Sequence, residues 1–194
     1  MIVFLRIFQA LLSLSSFLIF SSIFSASAAP VTDDQKEIYI DEQIRLAEAL
    51  KQREYYQLAI EEYKRIISDF PDDPLIADAW CGLGETFCLA GDYKNGAEAY
   101  ATFLKKYPQL PISDSVQLAY ATAFAKAYPE KLSESVKIIS QIAENNAKDE
   151  KIRESAIYAL GKLYLDFGNS IEAEKSFIKL AEKPIRDKED KIRI

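Results

Sequence analysis

The stretch Trp80–Tyr100, WCGLGETFCLAGDYKNGAEAY, decides how the whole chain is read. It holds two cysteines, Cys81 and Cys88, a lone tryptophan, and four glycines, of which Gly82, Gly84 and Gly91 are set out like a loose phosphate loop. A dinucleotide fingerprint needs a strand before its glycines, and a Walker loop ends in Gly-Lys-Ser/Thr; this stretch has neither. If it is helical, the two thiols lie two turns apart, with α carbons about 10 Å from one another, beyond the reach of a disulfide. Two thiols without a histidine make a poor zinc site. Three readings of the cysteines stay open. They are semi-buried small hydrophobes, or exposed groups that pair with a partner chain or a small thiol in an oxidising compartment, or redox groups lacking the usual Cys-x-x-Cys spacing.

Working outward, the stretch is one copy of a period. When the aromatic-proline stops Phe70-Pro71 and Tyr107-Pro108 are aligned, the preceding segments superimpose. Leu46, Ala47 and Leu50 answer Leu83, Gly84 and Phe87, while Ala59, Tyr63 and Ile66 answer Gly96, Tyr100 and Phe103. A further copy runs through Ile157, Leu160, Gly161 and Tyr164, then Gly168, then Ala173, Phe177 and Leu180 before Pro184. Between Pro108 and Lys151, SVQLAYATAFAKAY and KLSESVKIISQIAEN read as a first and a second helix whose mutual offsets do not match the other copies.

The pattern resembles the tetratricopeptide repeat (TPR) family, whose Trp-x2-Leu-Gly-x2-Tyr, Ala, Phe and Pro positions are met by Trp80, Leu83, Gly84, Phe87, Gly96, Tyr100 and Pro108. The resemblance implies an all-α, right-handed solenoid of about four helical hairpins over residues 35–185, with repeats at about 35–71, 74–108, 112–147 and 151–184. In physical terms, small residues at Ala47, Gly84 and Gly161 let helix B approach helix A, while Leu46, Leu83 and Leu160 and their aromatic partners fill the space between. Gly91 and Gly168 supply the positive φ that ends helix A. Asp73-Pro74 reads as N-cap and first helical residue of the second hairpin, and Thr32-x-x-Gln35 as a capping box for the first. Trp80 is expected in the core.

In this family the concave groove is lined by helix-A residues that flank the core positions. Carried across, that places Ile44, Glu48 and Lys51 of repeat one, Asp78, Cys81, Glu85 and Cys88 of repeat two, Val116, Tyr120 and Phe124 of repeat three, and Tyr158, Lys162 and Leu165 of repeat four in one groove. The family's carboxylate clamp uses lysine and asparagine where this chain has Ile44 and Glu48, then Cys81 and Glu85, so a C-terminal carboxylate is not the expected cargo. An apolar and aromatic surface edged with acids suits a protein segment with apolar anchors and some basic residues.

Residues 1–28 have the order of a secretory signal peptide: Arg6, an apolar and serine-rich run, then Ala26-Ser27-Ala28. Cleavage after Ala28 competes with an uncleaved N-terminal membrane anchor, and both put the folded part outside the cytosol. Residues 29–34 read as a short linker, and 186–194 as a charged tail in which Ile192 and Ile194 follow Ile185; this tail is expected to cap the last hairpin or to dock a second subunit. The chain has 24 Lys and Arg, 30 Asp and Glu and no histidine, for a formal net charge of −6. That balance works against nucleic acid as partner, and the lack of histidine removes His-based nucleophile activation and His-ligated zinc. Paired acids such as Asp72-Asp73 read as caps and solvated faces, and neither a catalytic residue, a metal nor a cofactor is expected.

The YP-ending repeats with GDY turns also resemble the repeat modules of periplasmic TPR proteins, namely the outer-membrane assembly lipoprotein and the Tol-Pal-associated coordinator of septal wall synthesis. The chain lacks the lipobox cysteine of the first and the N-terminal coiled coil of the second. The expected function is a non-enzymatic periplasmic or secreted scaffold for a protein or peptide partner, with envelope biogenesis as its setting. The alternative is a self-associating secreted structural or effector-like module.

Overall fold

The computed structural model describes residues 33–145 and 148–182. The expected signal peptide, the Thr32 cap and the charged tail lie outside these residues. Among the described residues, 33–39 belong to one unit and 40–145 with 148–182 to another. Eight α-helices follow one another among the described residues: α1 Asp33–Gln52, α2 Tyr56–Asp69, α3 Ile76–Leu89, α4 Tyr93–Lys106, α5 Ser113–Ala127, α6 Leu132–Glu144, α7 Glu150–Asp166 and α8 Ser170–Ala181. α1 begins inside the stretch expected as linker. The odd-numbered helices are the A helices of four hairpins and the even-numbered ones the B helices.

Each helix from α2 onward packs on its neighbour in sequence, and the A helices also touch across hairpins, α3 on α5 and α5 on α7. Among the described residues no two B helices approach one another in this way. Contact along the A row and separation along the B row place the A helices on the inner, concave side.

The glycines explain how the hairpins close. A Cβ on Gly84 would lie 2.7 Å from the Tyr100 ring, and one on Gly161 would lie 2.6 Å from the Phe177 ring. In both hairpins an aromatic ring of helix B rests on bare backbone of helix A. Leu83 and Leu160 are buried between their own and the preceding hairpin: Leu83 joins Ile60 and Tyr63 of α2 and Ala99 of α4, and Leu160 joins Ile139 and Ile142 of α6, with Leu180 of α8 packed on the same cluster. This corrects the expectation for Leu46, which is 47% exposed because the first hairpin lacks a preceding helix B among residues 40–182 to cover it. Ala47, Ala59 and Ala173 are buried as small packing residues, and Tyr164 packs partly buried against the last cluster. Trp80 sits partly buried where three clusters meet.

The A-to-B turns show why repeat three reads out of register. Gly91 and Gly168 have φ of 82° and 77°, and the residues after them, Asp92 and Asn169, cap helix B by accepting from the backbone N–H groups of Asn95 and Glu172. Repeat three instead passes through Tyr128 and a 3₁₀ turn, Pro129–Lys131. From Gly84 to Gly96 is twelve positions, while from Ala121 to Ser135, its counterpart, is fourteen. Ser135, Ile139 and Ile142 then fill the places of Gly96, Tyr100 and Phe103, all three buried.

The B-to-A junction at Asp73-Pro74 also differs from expectation. Asp73 accepts from the Leu75 N–H at 3.1 Å and opens a tight i→i+3 turn, and the α-helix proper starts at Ile76.

In repeat one the position of Gly91 is held by Glu54, at φ 63°. A side chain with a Cβ is strained there by about 1 kcal/mol. Glu54→Gly is therefore expected to raise unfolding stability by roughly 0.5–1 kcal/mol, read as a higher midpoint in chemical denaturation; an unchanged or lower midpoint contradicts it.

Candidate functional site

On the concave side, α3, α5 and α7 surround an open cavity of about 470 Å³. Its floor is Tyr100, Leu118, Ala119, Ala123 and Ala159; Glu85 and Cys88 form the α3 wall, and Thr122 and Lys126 the α5 wall, with Tyr93 at the turn. The space exists because α5 presents alanine, serine and threonine here, leaving the gap that bulkier side chains would fill.

Charge at the rim is arranged by pairing. Lys51, only 8% exposed, reaches Glu48 at 2.7 Å and Glu85 at 2.5 Å, tying α1 to α3. Tyr63 donates its hydroxyl to Glu48 at 3.1 Å. Burial works to raise the Glu48 carboxyl, but the Lys51 ammonium and the Tyr63 hydrogen bond outweigh it and hold Glu48 below the usual range. Burial likewise works against the Lys51 charge, and its two carboxylate partners reverse that, leaving Lys51 raised. On the opposite wall Lys126 pairs with Asp166 at 3.1 Å and lies 5.1 Å from the centre of the Tyr93 ring.

The expected groove residues divide. Glu85 and Cys88 line the cavity, and Tyr158 and Lys162 are exposed on α7 beside Ala159. Glu48 stands on the α1 side, engaged with Lys51 and Tyr63. Ile44 is drawn into the packing between the first two hairpins, and Cys81 packs partly buried against the cluster of Ala97, Tyr100 and Phe103. Tyr120 and Phe124 do not line the cavity. They pack against that same cluster on the α4-facing flank of α5, in a ladder with Tyr128 at ring distances of 5.6 and 4.9 Å, and Val116 is buried there too. The two extra turn residues are the cause. Counting back from Ser135 points at Tyr120 and Phe124, whereas counting forward from repeat two points at Leu118 and Thr122, which are the residues in the cavity. Tyr93, Ser115, Ala119 and Lys126 carry no sequence signal beyond that register.

Burial disfavours the thiolate form of both cysteines. Burial pushes Cys81 up to about 12, with Asp78 and Glu85 adding to it, and pushes Cys88 up to about 11 against the opposing Lys126 ammonium. Both are free. Since only the thiolate attacks, labelling by a disulfide reagent at about pH 8 is expected to be roughly 100-fold slower in the folded protein than after denaturation. Equal rates in the two states contradict this.

Cys88 also accounts for the glycine standing where the repeat pattern has alanine. A Cβ on Gly96 would lie 2.6 Å from the Cys88 sulfur. A double-mutant cycle of Gly96→Ala with Cys88→Ala is expected to show a favourable coupling of about 1–2 kcal/mol, the relief of overpacking. Additive effects contradict the contact.

No protein-family model and no curated protein matches the chain. Among solved structures it is similar to a Podosopora anserina protein of kinesin light chain type, built of nearly identical TPR-like repeats, at 14% identity and a TM-score of 0.65 over 86% of this chain and 82% of that one. It is equally similar, at 16% identity and a TM-score of 0.65, to a variant of that protein carrying one glutamine-to-methionine substitution, over 85% of this chain and 83% of that one. At such identities the likeness is one of architecture, and the all-helical, hairpin-by-hairpin packing of this chain is a TPR-like repeat fold.

Proposed function

We propose that this chain is a non-enzymatic scaffold, exported from the cytosol, that holds a segment of a partner protein in the concave groove between α3, α5 and α7, in the setting of cell-envelope biogenesis. The observation that carries the reading is the open cavity of about 470 Å³, whose lining is mostly apolar and has Glu85 and Lys126 as its charged members. TPR-like folds commonly mediate protein–protein interaction, which agrees with it. Export rests on the segment ending Ala26-Ser27-Ala28.

The test is site-specific photocrosslinking in the source cell from Thr122, in the cavity, and from Lys94, exposed on α4. Groove binding yields one protein adduct, located outside the cytosol, from Thr122 and not from Lys94. Adducts common to both positions, or none from Thr122, overturn it. A second reading, self-association, is favoured by the exposure of Leu46, Tyr55 and Leu58 on the first hairpin. It requires a dimer or larger by light scattering that Leu58→Glu returns to monomer.

A further inference from the structure

The two walls of the cavity differ in charge. On the α1–α3 side Glu48 and Glu85 share the single Lys51 ammonium, leaving one negative charge in excess, and Asp78, exposed on α3 two turns before Glu85, adds a carboxylate outside the cavity's lining. On the α5–α7 side Lys126 and Asp166 neutralise one another, and Lys162, exposed one helical turn from Ala159, leaves one positive charge in excess. The network charges remain within reach of a ligand, since the Glu85 side chain is 55% exposed and that of Lys126 31%. Between the walls the floor is apolar and unoccupied by any side chain of the described residues.

We infer that the groove takes an extended protein segment of fixed polarity: one bulky apolar side chain enters the cavity, a basic residue on one side of it faces Asp78 and Glu85, and an acidic residue on the other faces Lys162. This rests on the groove-binding reading and adds direction to it. The apolar anchor supplies affinity by leaving water, while the opposed flanking charges set register, because a segment threaded in reverse would place like charges on both walls.

The probe is a phage-displayed library of random dodecapeptides selected on the full chain. Two variants accompany it. Thr122→Arg fills the cavity from the partly exposed face of α5; Asp78→Lys with Lys162→Glu exchanges the two flanking charges at exposed positions outside the Lys51 network. Circular dichroism confirms that each variant is folded. The expected result is an enriched basic–apolar–acidic pattern whose binding is lost in Thr122→Arg. In the charge-exchanged variant such a peptide binds about tenfold more weakly, and its counterpart with exchanged flanks about tenfold more tightly. Peptides that depend on Thr122 but show no flanking-charge preference, or keep their preference in the exchanged variant, overturn the polarity and leave groove binding standing. If no selected peptide is sensitive to Thr122→Arg, both fall.

Discussion

Replacing Phe103 by alanine is expected to lower the unfolding free energy by about 3–5 kcal/mol, a large part of the stability of a domain this size. Phe103 is fully buried on α4, in one cluster with Ala77, Tyr100, Val116 and Ala123, so it joins residues of α3, α4 and α5. Its ring also lies 5.5 Å from that of Tyr107. Truncation leaves a cavity which the helices on either side, each held by its own neighbours, close only in part. Chemical denaturation of the purified chain measures the loss. A cost below about 1 kcal/mol would mean that the second and third hairpins do not share this core.

Gly82→Ala is expected to cost about 2–4 kcal/mol, although alanine favours a helix over glycine by about 1 kcal/mol. The added carbon would lie 2.4–2.7 Å from three atoms of the Tyr63 ring, including its hydroxyl oxygen. Tyr63 is 1% exposed and cannot swing into solvent, and its hydroxyl is tied to Glu48 and through it to Lys51. Displacing the ring therefore overpacks the interface between the first two hairpins and breaks a hydrogen bond to a charged carboxylate. Tyr63→Leu in the Gly82→Ala background is expected to recover part of the loss. A neutral or stabilising Gly82→Ala would show that the ring has room to move.

Gly82 marks the boundary of what the sequence shows. The pattern of Leu83, Gly84 and Phe87 against Tyr100 and Pro108 identifies the hairpins, since those side chains meet at fixed offsets along two helices. The role of Gly82 depends on which B helix lies outside its own hairpin, a tertiary relation that no single copy of the repeat contains. Where turn lengths match, Glu85 and Cys88 line the cavity, while Tyr158 and Lys162 are exposed on α7 outside its lining, with the Tyr158 ring on Phe177 of α8. Tyr120 and Phe124 fall outside the cavity's lining, because the two added turn residues leave Leu118 and Thr122, not Tyr120 and Phe124, at the places on α5 that answer Cys81 and Glu85. Glu54 was hidden for a different reason. A left-handed residue other than glycine leaves no compositional trace, and only the backbone angle shows it.

From α3 to α7 the A helices touch across hairpins and the B helices do not, so successive hairpins are joined at their inner ends. At the outer rim α4 and α6 stand free of one another, and no contact there opposes a change of spacing. A segment seated in the cavity between α3, α5 and α7 would stand beside the α3–α5 and α5–α7 contacts, the points at which the spacing of successive hairpins is set.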